Sequence, residues 1–131
     1  MPGFTLAPGV SLSALAEGLS ALERDLAGVP AALADRVLIV AGEVAANAAE
    51  HGHGTLRVRW TVTQDAVTLD LIGPGPDART VRAATLPEDV ATRGRGLYLI
   101  RTLATSVEDV PGGLRVRLRV GDNGPLLRPK P

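Results

Sequence analysis

From Thr55 to Thr63 apolar and polar residues alternate without a break. Leu56, Val58, Trp60 and Val62 fall on one side; Thr55, Arg57, Arg59 and Thr61 fall on the other. A period of two marks a half-buried strand, so the chain is committed to a sheet with one covered face. Gln64-Asp65-Ala66 is a plausible hairpin connection, and residues 67–72 read as the return strand. Residues 106–110 and 114–120 repeat the arrangement around Pro111-Gly112-Gly113.

What covers the sheet lies mostly upstream. Leu12, Leu15, Leu19, Leu22 and Leu26 recur at helical spacing behind Ser11, a suitable N-cap, and predict a helix over 11–27. Gly28-Val29-Pro30 breaks it. A second helix is predicted over 31–50, with Leu33, Val37, Val40, Val44 and Ala48 as its apolar stripe and Gly52 and Gly54 beyond its end. A short helix follows at 96–104, and residues 4–7 read as an edge strand. Helices bracketing hairpins define an α+β chain. The simplest arrangement is a two-layer α/β sandwich, with helices on one face of a mostly antiparallel mixed sheet. With 131 residues, 45% of them hydrophobic, the chain suffices for one core. Aromatics are only 2%, so that core is built from Leu, Val, Ile and Ala. One domain over 1–120 and a flexible tail over 121–131 are expected.

Lys+Arg and Asp+Glu number 14 each, so no global charge draws the chain to nucleic acid or to a membrane surface. The absence of cysteine excludes disulfides and thiolate metal sites. No leader and no membrane span is legible, and a cytoplasmic setting is expected.

Three stretches could carry chemistry. On the second helix, in GEVAANAAEHGHG, Glu43, Asn47 and Glu50 share one narrow stripe among small alanines. A solvated polar face explains such a stripe. So does a site in which an amide oxygen meets Mg²⁺ and a carboxylate takes a proton. In TRGRGLYLIRTL, Gly94 and Gly96 precede a helix and can expose backbone N–H groups to an anion, with Arg93 and Arg95 adding charge. In DLIGPGPD, a Gly-Pro-Gly turn follows a strand. Residues 73–95 are too long for a plain connector.

In this order the three stretches resemble the GHKL ATPases, and most of all the small bacterial anti-sigma factor serine/threonine kinases. Glu43-Val-Ala-Ala-Asn47-Ala with His51-Gly52 is similar to the N box of that superfamily. Gly73-Pro-Gly75 is similar to its first Gly box, and Gly94-Arg-Gly96-Leu97 to its second. The resemblance covers about residues 3–120. It implies a Bergerat fold of the histidine kinase-like ATPase type, with ATP held between helices and sheet under a mobile lid at 76–93. It further implies Asn47 as Mg²⁺ ligand, Glu43 as general base, and Arg93, Gly94, Arg95, Gly96 and Leu97 around the phosphates. The partners implied are a nucleotide and a protein, either a sigma factor or an anti-sigma antagonist. A homodimer is also compatible with it.

One position departs from the pattern. The first Gly box of the family opens with an Asp that accepts a hydrogen bond from the adenine amine. Counting back from Gly73, that place is held by Leu71, and Asp70 stands one residue early. A shift of one turns a strand side chain to the opposite face. Asp70 is therefore expected to point outward, to a cross-strand arginine such as Arg57 or Arg59. Losing a hydrogen bond to a charged group removes about 1.5–3 kcal/mol, roughly ten- to a hundred-fold in affinity. An alternative reading follows: a protein-binding regulator that keeps the fold without nucleotide chemistry. His51 and His53 form an HxH, but no third metal ligand lies nearby in sequence. Arginines 57, 59, 115, 117 and 119 are expected on one sheet face. Either a solvated surface or a site for an acidic protein partner would account for them.

Overall fold

The computed structural model describes residues 1–9, 11–51, 54–85 and 95–121. The alternating segments become the strands β1 (Gly3–Leu6), β2 (Leu56–Val62), β3 (Ala66–Ile72), β4 (Ser106–Val110) and β5 (Gly113–Arg119). They form one sheet in the order β1-β2-β3-β5-β4. Every described pairing is antiparallel, so the expected mixed sheet has no parallel pair among the described strands. The helices are α1 (Leu12–Asp25), α2 (Ala31–His51), α3 (Ala78–Arg82) and α4 (Arg95–Leu103). The result is the two-layer α+β sandwich.

Residues with the inward period make the core. Val58, Trp60, Val67, Leu69, Val116 and Leu118 of the sheet are buried with Leu22, Leu33, Val37 and Val40 of the helices. Burial of each such side chain contributes about 1.5–3 kcal/mol, the dominant favourable contribution to folding. The only tryptophan, Trp60, donates its indole N–H to Asp25 Oδ2 at 2.7 Å, which fastens the end of α1 to the sheet. Phe4 packs on Trp60 with ring centroids 5.8 Å apart.

Two expectations about the helices are corrected. Ser11 caps α1, accepting from the Ala14 N–H at 3.2 Å, but Leu12 is 82% exposed, so the buried stripe starts after the first turn. On α2 the fully buried line runs through Val37, Ala41 and Ala45, at i, i+4 and i+8. Val44 and Ala48 are only partly buried, because they face an opening instead of the sheet. The alanines let α2 lie close to the strands.

Arg36 of α2 is buried, with 8% of its surface exposed. Its Nε and Nη2 donate to the Leu103 carbonyl at 3.2 and 2.5 Å, and its Nη1 donates to the Arg119 carbonyl at 2.7 Å. One planar fork thus joins α2 to the ends of α4 and β5. Lysine, a point charge on a flexible stem, cannot reproduce that fork. Arg36→Lys is expected to lower stability by about 1.5–3 kcal/mol, the worth of a hydrogen bond to a charged group, with unchanged urea m-value. Urea unfolding followed by circular dichroism checks this.

Candidate functional site

The opening faced by Val44 and Ala48 is a cleft of about 530 Å³, within the range of about 300–1,000 Å³ usual for small-molecule sites. Val44, Asn47 and Ala48 of α2 form one wall, and Gly96, Leu97 and Ile100 of α4 form another. Leu56, Leu71 and Leu114 make an apolar floor, one residue from each of three adjacent strands. The rim is the turn after β3, from Gly73 to Asp77, together with Gly112 and Gly113 of the β4–β5 hairpin.

Glycines shape this cleft; at Gly113 a Cβ would collide with the Leu71 carbonyl. Gly73 has φ +148°, and a Cβ there would stand 2.5 Å from the Thr55 carbonyl. Its N–H donates to the Gly112 carbonyl at 2.9 Å, so the turn is tied to the neighbouring hairpin. Gly96 serves by close approach: a Cβ there would stand 2.6 Å from Asn47 Nδ2. The start of α4 and the Asn47 side chain of α2 therefore lie close together across the cleft.

The register at the end of β3 is unbroken. Leu71 lies opposite Val58 on one side and Leu114 on the other, and Asp70 lies opposite Arg59 and Arg115. Leu71 thus faces the cleft and Asp70 the other side, as the alternation predicts. The partner of Asp70 is an outward cross-strand arginine as expected, but it is Arg115 instead of the two given as examples, with Nε to Oδ1 at 2.8 Å and Nη2 to Oδ2 at 3.2 Å. This bidentate pair also raises the Arg115 guanidinium above its ordinary value, chiefly through the hydrogen bond to Asp70.

The other expected residues divide. Asn47, Leu71, Gly73, Gly75, Gly96 and Leu97 line one cleft. Glu43 is half-buried one turn before Asn47 and is not part of the cleft wall. Arg93, Gly94 and His53 lie outside the described residues, as do the side chains of Glu50, His51 and Arg95. Among the described residues no cluster of three His, Cys, Asp or Glu could hold a metal. Sequence reasoning missed Gly112, Gly113 and Leu114, because it did not place β5 beside β3. The inward period of Leu114, Val116 and Leu118 was the available signal.

The expected lid is also corrected in its first half. Asp77 caps α3, accepting from the Thr80 N–H at 2.8 Å and the Thr80 hydroxyl at 2.6 Å. Val81 is fully buried, and the Ala78 N–H donates to Asp109 Oδ1 at 2.8 Å. Arg101 Nη1 reaches the Ala84 carbonyl at 2.6 Å. Residues 77–84 are therefore fastened to the body, and 86–93 of the expected lid lie outside the described residues.

The family model of the histidine kinase-like ATPase domain matches residues 4–120, and the chain belongs to that family. This places it in the GHKL-type ATPase superfamily. A comparison with curated proteins finds no match. Among the described residues no helix is long and apolar enough to cross a membrane.

ATP, usually with Mg²⁺, is the ligand the family implies. The Asn47 atom nearest Gly96 is the amide nitrogen Nδ2, while the amide oxygen, the kind of hard donor Mg²⁺ takes, is the other branch of the same group. The leucine floor suits the flat face of a base but presents no carboxylate at residue 71 to an amino group.

Two outcomes follow from this geometry. Gly96→Ala should displace the Asn47 amide while leaving the fold intact. Thermal stability should be unchanged, or higher by up to about 1 kcal/mol from helix propensity, with Mg²⁺-dependent nucleotide binding at least about tenfold weaker. Calorimetry on the variant measures both. At Asp77, the Thr80 hydroxyl, then the Thr80 N–H, holds the carboxyl below its ordinary value. A carboxylate lowered on folding stabilises above its unfolded value, about 3.9, and that contribution is lost as pH falls through the lower folded value. Protection of the 79–84 amides, taken relative to their intrinsic exchange rates, should therefore fall on the acid side. In Asp77→Asn, which caps without titrating, that fall should disappear.

Proposed function

We propose that this chain binds Mg-ATP in the cleft and acts as a regulatory protein kinase resembling the anti-sigma factor serine kinases, with a serine of a protein antagonist as acceptor. What supports the reading is the close approach of the Asn47 side chain to Gly96, which brings the proposed Mg²⁺ ligand beside the start of α4. Asn47 would hold Mg²⁺ through its amide oxygen. When bound, the metal would neutralise charge on the phosphate oxygens. Glu43, one turn away, would take the proton of the serine hydroxyl as its oxygen bonds to the γ-phosphorus and the bond to the ADP oxygen breaks. Gly96 and Leu97, with Gly94, would present backbone N–H groups to the phosphates, and Arg93 or Arg95 would stabilise the charge of the transferred group. Gly73 and Gly75 would let the backbone approach the base.

A second reading is favoured by one observation, the leucine at the base end. With Leu71 in place of the adenine-reading Asp, the domain would be a protein-binding regulator that keeps the fold with little nucleotide affinity.

Calorimetric titration with ATP and GTP, with and without Mg²⁺, separates the two. The kinase reading expects Mg²⁺-dependent ATP binding that Asn47→Ala removes. Leu71→Asp should raise ATP affinity by up to about two decades, and more for ATP than for GTP, whose base presents a carbonyl at that position. Asp70→Ala should leave nucleotide binding nearly unchanged. No binding by either the parent chain or Leu71→Asp would leave only the second reading.

A further inference from the structure

The helices cover one face of the sheet. The other face carries Arg57 and Arg59 on β2 and Arg115, Arg117 and Arg119 on β5, with β3 between them. The two arginine rows therefore flank a central strand. On this side β3 presents Thr68, Asp70 and Ile72, and only Asp70 among them is charged.

The charge on this face is unbalanced although the chain is neutral. Among the described residues its carboxylates are Asp70 and Glu108, and both engage Arg115, at 2.8 and 3.5 Å. Arg57, Arg59, Arg117 and Arg119 are exposed, and no carboxylate among the described residues lies within ion-pair distance of them. Within each row the arginines stand at i and i+2 on one face of a strand, about 7 Å apart, and their like charges repel, so a basic face is a standing cost in the isolated domain. An opposite charge laid on the face would remove it.

The chemistry of the face narrows the partner. All but one of the basic residues of the chain are arginines, Lys130 being the exception, and the planar guanidinium fork matches carboxylates in pairs. No aromatic ring faces this side; Phe4 and Trp60 pack together on the covered one. Stacking of unpaired bases has no platform here. Met1, Leu12, Ile39 and Val120 are the exposed large apolar residues among those described, and none belongs to either arginine row, so no apolar anchor for lipid accompanies the charge. A second copy of the chain would set arginine against arginine.

We propose that this face, which no described helix covers, is a docking surface for an acidic protein segment. The segment would lie along β3, with Arg57 and Arg59 on one flank, Arg117 and Arg119 on the other, and Arg115 held in place by Asp70. The proposal does not rest on the kinase reading, because the surface is on the opposite side of the sheet from the cleft.

The test uses a short glutamate-rich synthetic peptide titrated into the isotopically labelled chain and followed by amide chemical shifts. Shifts are expected in β2, β3 and β5 and not around Gly96. Arg57→Glu/Arg59→Glu and Arg117→Glu/Arg119→Glu should each weaken binding by about tenfold or more, as expected for the loss and reversal of two exposed ion pairs. The same positions changed to Lys should lose less. Arg24→Glu, an exposed arginine on α1, should change nothing, and circular dichroism confirms that each variant is folded. Equal loss in Arg24→Glu, or peptide binding that survives both double variants, overturns the proposal. So does tighter binding of duplex DNA or phosphatidylserine vesicles through the same arginines, or self-association in sedimentation that the double variants abolish.

Discussion

Arg36 sits in the first half of α2 and holds two carbonyls that close other elements, Leu103 at the end of α4 and Arg119 at the end of β5. Eleven residues further along the same helix, Asn47 touches the start of α4 at Gly96. The two contacts fix α4 at both ends against one rigid rod, and they require the two helices to run antiparallel. A helix rises about 1.5 Å per residue, so the spacing of Arg36 and Asn47 sets where α4 can lie. The cleft is the space left between that pair and the sheet. Its width thus depends on a buried guanidinium far from any residue that would touch a ligand.

The strand β3 is the second constraint, because both surfaces of interest share it. Leu71 lines the cleft, and Asp70, the residue before it, pairs with Arg115 on the opposite side. Regular pairing with β2 and β5 holds that alternation in place. A carboxylate one position early therefore cannot serve the cleft, however close it stands in sequence.

Much of this was legible before any coordinates. The period of two in 55–63 and the helical spacing behind Ser11 gave the strands, the cap and the two-layer class. The resemblance of the stretches at Asn47, Gly73–Gly75 and Gly94–Leu97 to the GHKL boxes pointed to part of the cleft lining. Three things were not legible, for one physical reason: they depend on which distant segments become neighbours. Asp70 could be assigned an outward face but not a choice between Arg59 and Arg115, since both stand opposite it on flanking strands. Residues 77–82 are polar and proline-preceded, so they read as mobile; what fastens them is Asp109, thirty-one residues away from Ala78. The buried line of α2 shifted to Ala41 and Ala45, because alanine signals helix propensity more strongly than it signals a face.

Trp60 has a consequence of a different kind. It is the only tryptophan, it is 1% exposed, and its indole is held by Asp25 in the layer between α1 and the sheet. It does not line the cleft. The intrinsic emission of the protein is therefore a gauge of the seam between α1 and the strands. Its colour and intensity follow the opening of that seam, while a small molecule entering beside Leu71 meets no chromophore of this kind. Filling of the cleft must then be followed by a label or by heat.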